Sequence, residues 1–192
     1  MSGVIQKVKN GLQVCREFGV ESFFKRVDNK KYHRVPDLET IRSVHLVGEE
    51  ELERQRQREF ENPVKFSIIT PLYNTPREFL TELLESLEKQ TYANWELCLA
   101  DGSDEEHAYV GEICRERAQR DGRIRYHVLE ENRGISENTN ECIKLATGDY
   151  FGLLDHDDVL HPSALYEVMR AVEEQGAEFI YTDEVKFSGN IP

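Results

Sequence analysis

From Val64 onward, short apolar runs alternate with segments in which apolar residues recur every three or four positions. VKFSIITPLYN reads as a first strand that stops at Thr75. TPRE then supplies an N-cap threonine, a proline at the first helical position and Glu78 at the third, the spacing of a capping box. Phe79, Leu80, Leu83, Leu84 and Leu87 continue as one apolar helix face. WELCLAD alternates Trp95, Leu97 and Leu99 with mixed residues as a second strand, and a polar helix follows from about Glu105 to Arg120. RIRYHVLE places Ile124, Tyr126 and Val128 on one face of a third strand. After ENRG the pattern predicts a helix through Cys142, Ile143 and Ala146, with Gly148 as its C-terminal cap. DYFGLLD is a fourth strand, PSALYEVMRAVEEQ a helix and AEFIYTDE a fifth strand.

Strand and helix units of this length predict an α/β fold, with a mainly parallel sheet joined by right-handed crossovers and helices on both faces. Ligands bind such sheets beyond the carboxyl ends of the strands. Those ends read TPLYN, ADGSD, LEENRG, LDHDD and TDE, so the expected rim is acidic. Residues 1–60 are a different object, expected as a helical, basic extension and charged linker ahead of a main domain at 61–192. Val4, Ile5, Val8, Leu12, Cys15 and Phe18 approximate a helical stripe, and GEEELERQRQREFEN reads as a solvated linking helix with Glu and Arg a turn apart.

Charge narrows the function classes. The net charge of -13 argues against nucleic acid as a partner, because phosphate-backbone binding needs a basic surface. Positions 1–36 hold eight Lys/Arg and three Asp/Glu, a local +5 that leaves -18 for the rest. With Phe23 and Phe24 beside Lys25 and Arg26, that segment is suited to peripheral contact with an anionic membrane; packing on the main domain is the open alternative. Cys15, Cys98, Cys114 and Cys142 show no CxxC pairing and read as buried free thiols. Without a signal-peptide core or a run approaching roughly 18 apolar residues, the expected compartment is reducing and cytoplasmic.

The chemistry concentrates in FGLLDHDDVLHP. An apolar run that reads as a buried strand ends in Asp155, Asp157 and Asp158. Residues i and i+2 of an extended chain share a side, so Asp155 and Asp157 can converge as hard oxygen ligands for Mg2+ or Mn2+. Such ions keep waters and bridge phosphate oxygens, which points to a substrate that brings its own phosphates and to a diphosphate leaving group. Asp158 reads as a turn or capping acid. The EF-hand pattern is excluded by the missing third ligand, glycine and terminal glutamate.

SIITPLYNTPREFLTELLESLEKQTYANWEL, ADGSD, ENRGIS and GDYFGLLDHDDVLHPSAL, in this order and spacing, resemble the family-2 inverting glycosyltransferases of the GT-A fold, over about residues 64–187. The resemblance implies a UDP- or dTDP-sugar donor, a divalent metal at a DxD motif here formed by Asp155 to Asp157, and transfer with inversion to a glycan or lipid-linked acceptor. It implies that Pro71 and Tyr73 border the base, Asp101 holds the uracil or ribose region, Asn132 lies near the nucleotide, Asp157 is the principal metal ligand, and Asp155 contacts ribose or ion, with Thr70 and His156 as further substrate-binding candidates. Two departures stand out: Ala100 precedes Asp101 where many relatives carry a second acid, and Thr139 stands where many carry a basic residue just before the asparagine, here Asn140. Arg133 is a candidate for the missing positive charge. The resemblance places the general base beyond AEFIYTDEVKF, so the expectation is a fragment lacking that base, with an exposed edge prone to self-association. A sugar-nucleotide pyrophosphorylase is disfavoured because TPLYNTP has no glycine to cradle a triphosphate. A nucleotide-sugar-binding module without turnover is the other alternative.

Overall fold

The computed structural model describes residues 47–182. The basic N-terminal stripe, Cys15 and the acids Asp183 and Glu184 lie outside the described residues. The elements are α1 (Glu49–Gln57), β1 (Phe66–Leu72), α2 (Arg77–Glu88), β2 (Trp95–Asp101), α3 (Tyr109–Arg120), β3 (Ile124–Val128), α4 (Ile135–Leu145), β4 (Tyr150–Leu153) and α5 (Ala164–Gln175), with a short 3-10 turn at Glu105–His107. All strand pairs are parallel, in the order β3-β2-β1-β4.

Alternation along β1 and β2 sorts the core into two layers. Phe66, Ile68 and Leu72 of β1, with Trp95, Leu97 and Leu99 of β2, pack with the leucines of α2, Val110 and Cys114 of α3 and Leu165 and Met169 of α5. The intervening Ile69, Cys98 and Ala100 meet Cys142 and Ile143 of α4 on the other face. Both sheet faces are therefore covered, as parallel strands require. Cys98, Cys114 and Cys142 are free and buried, as expected. Burial pushes the first two thiols up to about 12 and Cys142 up to about 11, which keeps them protonated and inert.

Several expectations need correction. α2 begins at Arg77, with Pro76 rather than Thr75 in the cap position (φ -53°, ψ 139°), and no side chain caps it. Thr75 is wholly buried and its hydroxyl finds no partner among the described residues. Gly148 does not cap α4, which ends at Leu145 with Ala146 at its cap in extended backbone. It lies instead against β1, where its N–H donates to Ser67 Oγ at 2.8 Å. Residues 177–182 form no strand, so the fifth strand is absent from the described residues, and Phe179 and Tyr181 stand 87% exposed. The linking helix exists as α1, with Glu49, Glu50 and Glu51 at its positive end. It is docked, however: Leu52 and Gln55 are buried, and Gln55 Oε1 accepts from Thr91 Oγ1 at 2.9 Å. Arg58 follows, donating to Tyr166 at 3.0 Å and to Glu173 at 3.1 Å.

Candidate functional site

In the order β3-β2-β1-β4, the chain leaves β1 for β2 on one side and later returns to β1 from the other with β4. The crevice at the carboxyl ends of β1 and β4 is thus a topological switch point, where open α/β sheets bind ligands. An open cleft of about 310 Å³ lies there, lined by Pro71, Leu72, Tyr73, Asn132, Gly134, Ile135, Asn138, Asp155, His156 and Asp157.

The first wall is the end of β1. Tyr73 is 48% exposed and offers an aromatic face. Asn74 then takes a positive φ of 51°, a conformation asparagine tolerates better than most residues. Its amide ties the loop after β1 to the loop after β2: Nδ2 donates to Asp104 Oδ2 at 2.8 Å, Oδ1 accepts from the Asp104 N–H at 3.1 Å, and the Asn74 N–H donates to Ser103 Oγ at 2.9 Å.

The opposite wall follows β4. Leu154 still pairs with β1, its N–H donating to the Ile69 carbonyl at 3.2 Å, and the chain then turns, with the Asp158 N–H donating to the Asp155 carbonyl at 3.2 Å. α5 begins only at Ala164, with Ser163 at its cap, so Asp158 is a turn acid and not a helix cap. Asp155 and Asp157 are exposed and line the same cleft, and their carboxylates take no hydrogen bond or ion pair from other described residues. They offer oxygen donors only. No group of three or more His, Cys, Asp or Glu suited to a metal exists among the described residues. The pair fits a hard cation that keeps waters and takes phosphate oxygens, and does not fit a closed all-protein site.

The third wall is the segment Asn132–Ile135 that enters α4. Gly134 has a φ of 85°, where a side chain would be strained. Asn132 Oδ1 accepts from the Gly134 N–H and from Asn138 Nδ2, both at 2.9 Å, and Asn138 Oδ1 accepts from the Arg133 N–H at 3.2 Å. This segment packs on Gly102, where an added Cβ would meet Asn132 Cα at 3.1 Å and Asn138 Nδ2 at 3.3 Å.

Of the sequence candidates, the fold brings Pro71, Tyr73, Asn132, Asp155, His156 and Asp157 together on this cleft. Thr70, Asp101 and Arg133 do not line it. Thr70 is fully buried within β1. Asp101 is 5% exposed, its Oδ2 accepting from the Tyr126 hydroxyl at 2.7 Å and its Oδ1 from the Ser103 N–H at 2.9 Å. Burial and that carboxylate hold the Tyr126 phenol above its ordinary range. Arg133 pairs with Glu131 at 2.9 Å in solvent. Leu72, Gly134, Ile135 and Asn138 also line the cleft and were not among the sequence candidates; for Asn138 the available signal was an asparagine one turn into the helix that follows N-R-G.

The sequence profile of the family described as "Glycosyl transferase family 2" matches residues 67–191. The chain is 42% identical over 130 residues to an uncharacterised protein, y4gI, of Sinorhizobium fredii, covering 67% of this chain and 14% of that protein. It is 35% identical over 119 residues to the O-antigen biosynthesis protein RfbC of Myxococcus xanthus, covering 62% of this chain and 9% of the relative. It is 32% identical over 114 residues to the glycosyltransferase GlyG of Streptococcus pneumoniae, covering 59% and 37%. The chain thus spans well under half the length of these relatives. Among solved structures, S. aureus TarS in complex with UDP-GlcNAc superposes with a TM-score of 0.51 at 28% identity, covering 58% of this chain and 32% of that one.

Proposed function

Since the chain belongs to glycosyl transferase family 2, we propose that its cleft binds the nucleotide part of a UDP- or dTDP-sugar, as part of a transferase that delivers the sugar, with inversion, to a glycan or lipid-linked acceptor. The observation that carries the reading is the convergence of Pro71, Tyr73, Asn132, Asp155 and Asp157, from three separate segments, on one cleft at the switch point of the sheet. TarS, the structural neighbour solved with UDP and with UDP-GlcNAc, supports a uridine nucleotide as donor.

In this reading Tyr73 and Pro71 supply the apolar surface for a planar base, and Asn132 a polar contact beside it. Asp155 and Asp157 would hold Mn2+ or Mg2+, and a bound cation there supplies the positive charge that a diphosphate leaving group requires. Without it, two neighbouring carboxylates oppose any anionic ligand, so nucleotide and cation should bind cooperatively. The test is calorimetry of UDP with and without Mn2+ on the wild type and Asp157→Asn. The variant should lose most of its Mn2+-dependent UDP affinity while keeping its melting temperature, because Asp157 is exposed and makes no contact that holds the fold. Unchanged Mn2+ dependence in the variant would sink the assignment.

A further inference from the structure

We propose that Asn138 is a positioning residue for this cleft: it locks the side-chain amide of Asn132 so that the wall offers a ligand a hydrogen-bond donor and not an acceptor. The proposal rests on the donor-site reading above, and extends it from which residues line the cleft to the chemistry that one of them presents.

Two backbone N–H groups, which can only donate, fix the orientation of both amides. The Gly134 N–H meets the Asn132 side chain at 2.9 Å, so the atom facing it must be the carbonyl oxygen Oδ1. The Arg133 N–H meets the Asn138 side chain at 3.2 Å, which likewise fixes Oδ1 of Asn138 on that side. The remaining group of Asn138, Nδ2, then faces Asn132 Oδ1 at 2.9 Å and donates to it. Neither amide can be reversed without setting a donor against a donor, so the network itself assigns both orientations. Asn138 is 3% exposed and cannot turn to water for a substitute partner.

The consequence falls on Asn132, which is exposed and lines the cleft. Its carbonyl oxygen is occupied twice from the protein side. Its Nδ2 makes no hydrogen bond to another described residue and is the group left for a ligand. The wall therefore selects an oxygen acceptor. Three parts of a nucleoside diphosphate supply one, a carbonyl of a pyrimidine base, a ribose oxygen or a phosphate oxygen, and the 4-carbonyl of the base is separable from the rest by experiment.

Asn138→Asp distinguishes the lock from simple loop anchoring. The new carboxylate still accepts from the Arg133 N–H, so the loop stays tied. It has no proton to give Asn132 Oδ1, so the Asn132 amide loses its hold: as it stands its oxygen faces a carboxylate, and reversed its Nδ2 faces the Gly134 N–H, so Nδ2 is no longer fixed toward the cleft. UDP affinity in the presence of Mn2+ should fall about ten-fold, the scale of one lost hydrogen bond. CDP, which carries an amino group where UDP has a base carbonyl, reads the source. A smaller loss or a gain for CDP identifies the 4-carbonyl of the base, and an equal loss places the contact on an oxygen that CDP shares, the 2-carbonyl, the ribose or a phosphate; both support the lock. Unchanged UDP affinity in Asn138→Asp would overturn it. A second measurement needs no nucleotide and no variant fold: in the NMR spectrum of the free wild-type protein, the Asn138 side-chain amide should exchange with solvent more slowly than that of Asn132. Equal rates, or the reverse order, would overturn the proposal. Absence of UDP binding by the wild type, with that exchange pattern intact, would sink the donor-site reading and leave the amide lock standing.

Discussion

Glu96 sits 2% exposed on the α4 face of β2, where its carboxylate meets Lys65 Nζ at 2.6 Å, Ser67 Oγ at 2.7 Å and Arg125 Nε at 2.9 Å, with the Thr147 N–H also donating to it. Burial alone would raise its pKa; the bonds from Lys65, Ser67 and Thr147 more than offset that and bring it from 4.5 down to about 2. A depressed carboxylate contributes stability above its unfolded pKa and loses it as pH falls through the folded value. The contribution, on the order of 3 kcal/mol, should thus be complete above about pH 4.5 and vanish progressively towards pH 2. Urea unfolding of the wild type against Glu96→Gln checks this: the variant should be less stable at neutral pH, and the gap should narrow through that acid window. A gap that does not change with pH would mean that the cluster holds the fold through shape and not charge.

The strands were legible because one face of each carries large apolar residues at period two: Trp95, Leu97 and Leu99 predict β2 as it stands. What local pattern could not tell was which role a turn residue plays once distant segments close on it. Gly148 reads as a helix cap from its neighbours alone, yet an added Cβ there would meet the Lys65 carbonyl oxygen at 2.6 Å, Ser67 Oγ at 2.7 Å and the Ser67 N at 2.9 Å, contacts that exist only in the assembled sheet. Two of those atoms are backbone and cannot swing aside. Gly148→Ala should therefore destabilise the domain by about 2 to 4 kcal/mol, measured by urea unfolding, whereas Gly122→Ala, which meets nothing within 4 Å, should be nearly silent. The site shows the same division. Asp155 and Asp157 announce themselves as charges at a strand end, and Tyr73 as an aromatic at another. Asn138 does not, because its value comes from Asn132 and Arg133 being folded over it, and Asp101, an obvious strand-end acid, proves to be engaged by Tyr126 and Ser103.

At the scale of the molecule, β4 is one of the two outer strands among the described residues, and large apolar side chains are exposed on it and after α5: Phe151 is 55% exposed, Leu153 76%, and Phe179 and Tyr181 87%. An open edge beside apolar side chains invites pairing between chains. Sedimentation velocity should show concentration-dependent self-association that Leu153→Lys weakens without lowering the melting temperature, and a strictly monomeric wild type would rule this out. The position of β4 also bears on the order in which the molecule assembles. Contacts of β1 with β2 join residues 29 positions apart, as Ser67 to Glu96, whereas the approach of β4 to β1 brings together residues 84 apart, as Lys65 to Asp149. Closing the longer loop costs about 1 kcal/mol more, a delay of roughly five-fold if both pairings are otherwise alike. Tyr73 and Asp157 thus stand on two pieces that meet late, and the cleft between them does not exist until they do. Trp95, buried between β1 and its earlier partner elements, should recover its native fluorescence before the refolding chain regains the capacity to bind nucleotide.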